Sequence, residues 1–192
     1  CLTEPQAGSD LNLVRTKAVK DGDEYLISGS KIFISCGDHD LTENIIHLVL
    51  AKIEGSAEGT EGISLFAVPK YRINADGSLG DYNNVETIAV EDKMGLKSSP
   101  TCALEFGAKG ESRAFLVGEE SKGMSQMFQM MNEARMLTAL GSLSISARAY
   151  DHALHYAKER VQGAAITNRK AGAVRIIEHE DIRRMLMNMK AT

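Results

Sequence analysis

The chain has 192 residues, 43% hydrophobic and 25% charged, which is enough for one generous domain or one and a half smaller ones around a real core. A net charge of −4 gives no reason to expect nucleic acid or an anionic membrane as partner. No apolar run approaches the roughly 20 residues that span a bilayer, no signal peptide is visible, and Cys1, Cys36 and Cys102 are too widely spaced for a disulfide framework, so reduced thiols and a cytoplasmic setting are expected.

Composition divides the chain. Residues 1–118 are rich in β-branched side chains and punctuated by Gly, Asp and Asn, whereas residues 119–192 are rich in Ala, Met, Leu, Arg and Glu. A strand-rich unit followed by a helical one predicts an α+β fold in two domains, 1–118 and 119–192. In chain order, strands are predicted over 13–19, 25–28, 31–35, 44–53, 62–69, 85–91 and 101–106. Asp21-Gly22 reads as a turn, Gly29-Ser30 as a two-residue hairpin turn, and 74–80 as a polar, Gly-rich turn. Short strands at this spacing suggest a small antiparallel β-barrel or a sandwich.

A proline-free helical pattern runs from Met124 to about Val161, with Met127, Met131, Ala134, Thr138, Gly141 and Ile145 on one face. One small barrel cannot cover so long a stripe, so a larger helical bundle is expected. Gln162-Gly163 reads as the helix stop. A second helix begins near His179-Glu180-Asp181, presents Met185, Leu186 and Met189 on its apolar face, and is still running at Thr192. The expectation is a piece cut from a longer helical domain.

The most informative stretch is Cys1-Leu2-Thr3-Glu4-Pro5-Gln6-Ala7-Gly8-Ser9-Asp10. It reads as a tight loop before a strand: Pro5 fixes one backbone angle, Gly8 permits close approach, and Thr3, Ser9 and Asp10 offer hydroxyl and carboxylate groups. A capped turn alone would account for those residue types. Other candidates read plainly. Met124, Met127, Met130, Met131 and Met136 are expected to be core packing, His152 and His155 lack a third metal ligand at fitting spacing, and Ser144 and Ser146 lack a nucleophile-elbow context.

Taken as a whole, the 1–10 string resembles the signature of the acyl-CoA dehydrogenase family, with Leu13 where the usual pattern has a small residue. The resemblance continues in order through Tyr25 to Ser35, then Lys93-Met94-Gly95-Leu96-Lys97-Ser98-Ser99, Asn132-Glu133-Ala134-Arg135, and Glu159-Arg160-Val161-Gln162-Gly163. Gly37-Asp38-His39-Asp40 is closer to the large bacterial subfamily that includes enzymes of 3-methylthiopropionyl-CoA.

The resemblance implies the middle β-domain and the first C-terminal helices of an FAD-dependent enzyme that forms an α,β double bond in an acyl-CoA thioester. It implies Leu2, Thr3, Phe33, Ile34 and Ser35 against the flavin ring, with Phe33 and Ser35 where many relatives carry Trp and Thr. It implies Gly8 and Ser9 at the flavin phosphates or the pantetheine, Ser99 and Arg135 along the CoA channel, and Arg160 and Gln162 at the cofactor of a neighbouring subunit. The absence of a GxGxxG implies an extended FAD cleft and no dinucleotide fold. A homodimer or homotetramer and an electron-transferring flavoprotein as acceptor follow from the same resemblance. No catalytic residue is expected here: the family's usual glutamate base lies late in the helical domain, and a minority position before the helix arginine is Ala134. The isolated piece is therefore expected to be inactive. An acyl-CoA oxidase, or a non-catalytic flavin- or DNA-binding relative, shares the same motifs.

Overall fold

A computed structural model describes residues 1–170 and 172–191. It divides into two compact units, Cys1–Met130 and Met131–Thr192.

The first unit contains β1 (Lys17–Asp21), β2 (Glu24–Ser35), β3 (Ile46–Ile53), β4 (Ile63–Pro69), β5 (Tyr71–Ile73), β6 (Leu79–Tyr82), β7 (Val85–Val90), β8 (Thr101–Phe106) and β9 (Arg113–Leu116). Seven of these form one sheet in the order β1-β3-β4-β9-β2-β8-β7, and β1 pairs with β2 as well as with β3. The expected antiparallel barrel is replaced by a mixed sheet, because β1 runs parallel to β3 while its other pairing, to β2, is antiparallel. β5 and β6 form a separate hairpin.

Period-2 alternation builds the core. His47, Val49 and Ala51 of β3 lie opposite Val68, Phe66 and Ser64 of β4, and all are buried. Cys102, Leu104 and Phe106 supply the same face from β8, and Tyr25 and Ile27 from β2. The rings of Tyr25 and Phe66 meet at 5.1 Å and 59°, a tilted aromatic contact.

Two expectations within this unit are corrected. The first predicted strand begins later, at Lys17, because Asp10 caps a short 3-10 turn over Leu11–Leu13 by accepting from the Asn12 amide. Gly29-Ser30 is no turn: β2 runs unbroken through it, and the tight connection is Gly22-Asp23 between the paired Asp21 and Glu24. Gly29 serves close packing instead, since a Cβ there would lie 2.6 Å from Thr16 Oγ1 and 2.8 Å from Thr16 Cα.

The helix α1 covers Gly123–Glu159, close to the predicted bounds. Its first turns are anchored in the first unit, where Met127 is buried and Gln126 donates to the Val117 carbonyl. Farther along, the expected stripe stays open: Ile145 is 74% exposed, and Ala134, Thr138 and Gly141 are exposed with it.

In the second unit Gln162-Gly163 does more than stop the helix. It belongs to β10 (Val161–Ala164), which pairs with β11 (Ala173–Arg175). The helix α2, Glu180–Ala191, begins where predicted and buries Leu186; Thr192 lies outside the described residues. Among the described residues no helix is long and apolar enough to cross a membrane.

Candidate functional site

The 1–10 loop folds back on itself before β1. Glu4 and Ala7 exchange backbone hydrogen bonds of 2.9 and 3.0 Å across Pro5-Gln6, and Ala7 is fully buried. The turn chemistry explains the local fold, since proline pre-sets the backbone angle at such a position. Beyond it Gly8 and Ser9 are exposed, and among the described residues none but the chain neighbours of Gly8 comes within 4 Å of where its Cβ would be.

The loop docks on β2 through a buried ion pair. Lys31 Nζ donates to Glu4 Oε1 at 2.8 Å and to the Leu2 carbonyl at 3.1 Å, with side chains 0% and 3% exposed for Lys31 and Glu4. Glu4 also accepts from the Arg15 amide at 2.7 Å, the Thr16 amide at 3.1 Å, Thr16 Oγ1 at 2.6 Å and Gln6 Nε2. Burial by itself would raise the Glu4 carboxyl, but the hydrogen bonds from Lys31 and Thr16 prevail and hold it down at about 2. Burial lowers the Lys31 ammonium from its ordinary value, against the pull of Glu4.

Next to this pair, the Ile32 amide donates to the Thr3 carbonyl at 2.9 Å. Between Lys31 and Ile34 the β2–β8 register slips: Lys31 faces Leu104 and Ile34 faces Cys102, so β2 spends one extra residue. The bulge falls on Phe33, whose φ of 58° lies in the left-handed region. Its effect is to reverse the alternation. Phe33 would otherwise share the inward parity of Tyr25, Ile27 and Lys31; it is instead 58% exposed, and Ile34 packs against the core. Ser35 follows, exposed, paired with Thr101.

Leu2, Thr3, Phe33, Ile34 and Ser35 are thus brought to one region of the first unit, where two half-buried loop residues meet a strand with an outward-turned ring. Ser99 sits in the 91–100 loop of the same unit, with its hydroxyl 3.6 Å from Cys36 Sγ. Arg135, Arg160 and Gln162 belong to the second unit. There Arg135 donates to Asn132 Oδ1 at 3.0 Å, and Arg160 Nη2 to Gln162 Oε1 at 2.8 Å. His155 is engaged by Asp151, and among the described residues no group of three metal-ligating side chains gathers. Glu4 and Lys31 were missed as site residues. The signal was present: a lysine at the inward parity of an apolar strand needs a buried partner.

The fold of the chain, a sheet unit leading into one long helix, is shared with acyl-CoA dehydrogenases of known structure. Butyryl-CoA dehydrogenase from Megasphaera elsdenii matches it with a TM-score of 0.73 at 30% identity, over 99% of this chain and 44% of that one. Caenorhabditis elegans ACDH-11, solved with C11-CoA, matches with a TM-score of 0.75 at 27% identity, over 98% of this chain and 29% of that one. The family profile for the acyl-CoA dehydrogenase middle domain matches residues 1–108, and that for the C-terminal domain matches residues 121–192. The chain belongs to the acyl-CoA dehydrogenase family.

Among its relatives, 3-methylmercaptopropionyl-CoA dehydrogenase of Ruegeria pomeroyi is 46% identical over 99% of this chain and 32% of the relative. The broad-specificity linear acyl-CoA dehydrogenase FadE5 of Mycobacterium tuberculosis is 47% identical, again over 99% of this chain and 32% of its own length. The chain spans about a third of the length of these relatives.

Proposed function

We propose that the chain forms the flavin-facing part of an FAD-dependent acyl-CoA dehydrogenase, which takes a proton from Cα and a hydride from Cβ of an acyl-CoA thioester. The observation that carries the reading is the ledge where the docked loop meets the bulge, with Leu2 and Thr3 half-buried, Phe33 turned outward and Ser35 exposed. An apolar and aromatic surface with hydroxyls at its margin suits a flat heteroaromatic ring with polar edges. Membership of the family supports the same cofactor.

When bound, FAD supplies the hydride acceptor at its N5. The work of this chain is binding and orientation. Leu2 and Phe33 offer apolar contact, backed by Ile34. The Thr3 and Ser35 hydroxyls can donate to polar atoms at the ring edge, where donors stabilise charge that develops on reduction. Gly8 and Ser9, both exposed, suit the flavin phosphates or the pantetheine. Ser99 and Arg135 are assigned to CoA, and Arg160 with Gln162 to the cofactor of a neighbouring subunit. No catalytic base is assigned within the chain. A cytoplasmic homodimer or homotetramer passing electrons to an electron-transferring flavoprotein completes the proposal.

The test is FAD loading of the full-length protein that carries this chain, with Phe33→Ala beside it. The reading expects one FAD per chain. Because Phe33 is largely outside the core, the variant should keep the Tm of the apoprotein and bind FAD about tenfold more weakly, the effect of losing one stacking contact. A wild-type protein that cannot be loaded, or a variant with unchanged FAD affinity, contradicts the assignment.

A further inference from the structure

We propose that Glu4 and Lys31 are positioning residues for the flavin-facing ledge: together they clamp the 1–10 loop to β2 and fix the backbone on both sides of the ledge. The proposal rests on the cofactor reading above. Its physical basis is independent of it.

A buried ion pair seldom stabilises a fold more than well-packed apolar residues of the same size would, because both charges must be stripped of water. What this pair adds is geometry. Lys31 Nζ holds the Leu2 carbonyl at 3.1 Å, one residue before Thr3, and Glu4 at 2.8 Å, one residue after it. Glu4 in turn gathers the Arg15 and Thr16 amides and Thr16 Oγ1, so the approach to β1 is tied to the same carboxylate. On the strand side, Lys31 immediately precedes Ile32, whose amide bonds Thr3 at 2.9 Å, and then the left-handed Phe33. The loop cannot slide along β2 without leaving two buried charges and three donors unmatched, each costly inside a protein. An apolar pair would fill the space without directional bonds, leaving only the Cys1 backbone bonds to Leu48 and Leu50 of β3 and the Ile32–Thr3 bond to set the loop's register. Neither side chain needs to touch the ring; both act through Leu2, Thr3 and Phe33.

The experiment uses the full-length protein and the double variant Glu4→Gln with Lys31→Met, which removes both charges while keeping volume. Two quantities are read. Hydrogen exchange in the apoprotein follows the Ile32 amide against Val49 and Phe66 of the β3–β4 ladder. FAD affinity and the visible circular dichroism of the bound flavin follow the ledge. The expected result is Ile32 exchange faster by about tenfold or more with Val49 and Phe66 unchanged, FAD Kd raised about tenfold, and an altered flavin spectrum. Thr16→Val, which removes one donor from Glu4, should give a milder shift in the same direction and serves where the double variant does not fold.

Unchanged Ile32 exchange overturns the clamp. Exchange that rises equally across the sheet overturns it too, since the pair is then general core. Local loosening with unaltered FAD affinity and flavin spectrum overturns the link to the ledge. A wild-type protein that binds no FAD sinks the cofactor reading instead, and the exchange result still judges the clamp.

Discussion

Glu4 shows how much a single side chain can organise here. Its carboxylate receives donors from Gln6, Arg15, Thr16 and Lys31, and these interactions hold its carboxyl at about 2 against an ordinary 4.5. The folded state therefore binds this proton more weakly than the unfolded chain does. The stability contributed by ionised Glu4 is complete above about 4.5 and drains away as pH falls towards 2. The urea midpoint should drop between roughly pH 4.5 and 2. Glu4→Gln should flatten that slope and cost about 3 kcal/mol at pH 7, because Lys31 is left buried without its partner. A variant with the wild-type slope would show that other carboxylates carry the acid sensitivity.

The same residue marks a limit of reading the sequence. The 1–10 string points to the loop, and the resemblance implies roles for Leu2, Thr3, Ser9 and Phe33. The partner of Glu4 was not legible, because Lys31 lies 27 positions away and only the docked loop brings the two together. The outward turn of Phe33 was hidden for a related reason. Simple alternation from Tyr25 and Ile27 places Phe33 inside, and the extra residue that reverses the parity is visible only in the pairing with β8.

At the scale of elements, local signals located the long ones. β8 over Thr101–Phe106 matches its predicted bounds, and α1 and α2 start within a residue of theirs. The misread dipeptide is Gly29-Ser30. Glycine inside an apolar run can mean a turn or a close approach, and only the presence of Thr16 against Gly29 decides between them. This gives a sharp expectation for Gly29→Ala. The φ of 146° is one that side chains rarely adopt, and the new Cβ would press on the Thr16 backbone. A loss of about 3 kcal/mol or more is expected in urea unfolding. Thr16 is a Glu4 ligand, so FAD affinity should fall with it. A substitution that leaves both unchanged would mean that β2 passes Thr16 with more room than described. Strands β5, β6, β9, β10 and β11 were not legible at all: each has three or four residues, too few to show a period, and each exists by virtue of its partner.

At the scale of the whole molecule, the exposed side of α1 is the clearest feature. Met136, Leu137, Leu140, Leu143 and Ile145 are 75%, 61%, 58%, 64% and 74% exposed, an apolar helix surface of a kind that folded proteins cover. The sequence anticipated this by length alone, since no small sheet can cover so long a helix. The Ruegeria pomeroyi and Mycobacterium tuberculosis relatives are about three times the length of this chain, and the proposed activity is therefore tested on the full-length protein that carries it.

The most direct test of the central claim is an anaerobic titration of that protein with a series of acyl-CoA thioesters, following the visible flavin band. Stoichiometric bleaching by at least one thioester is the result this account predicts, and it would also identify the acyl group accepted. A yellow protein whose flavin no thioester reduces would contradict it.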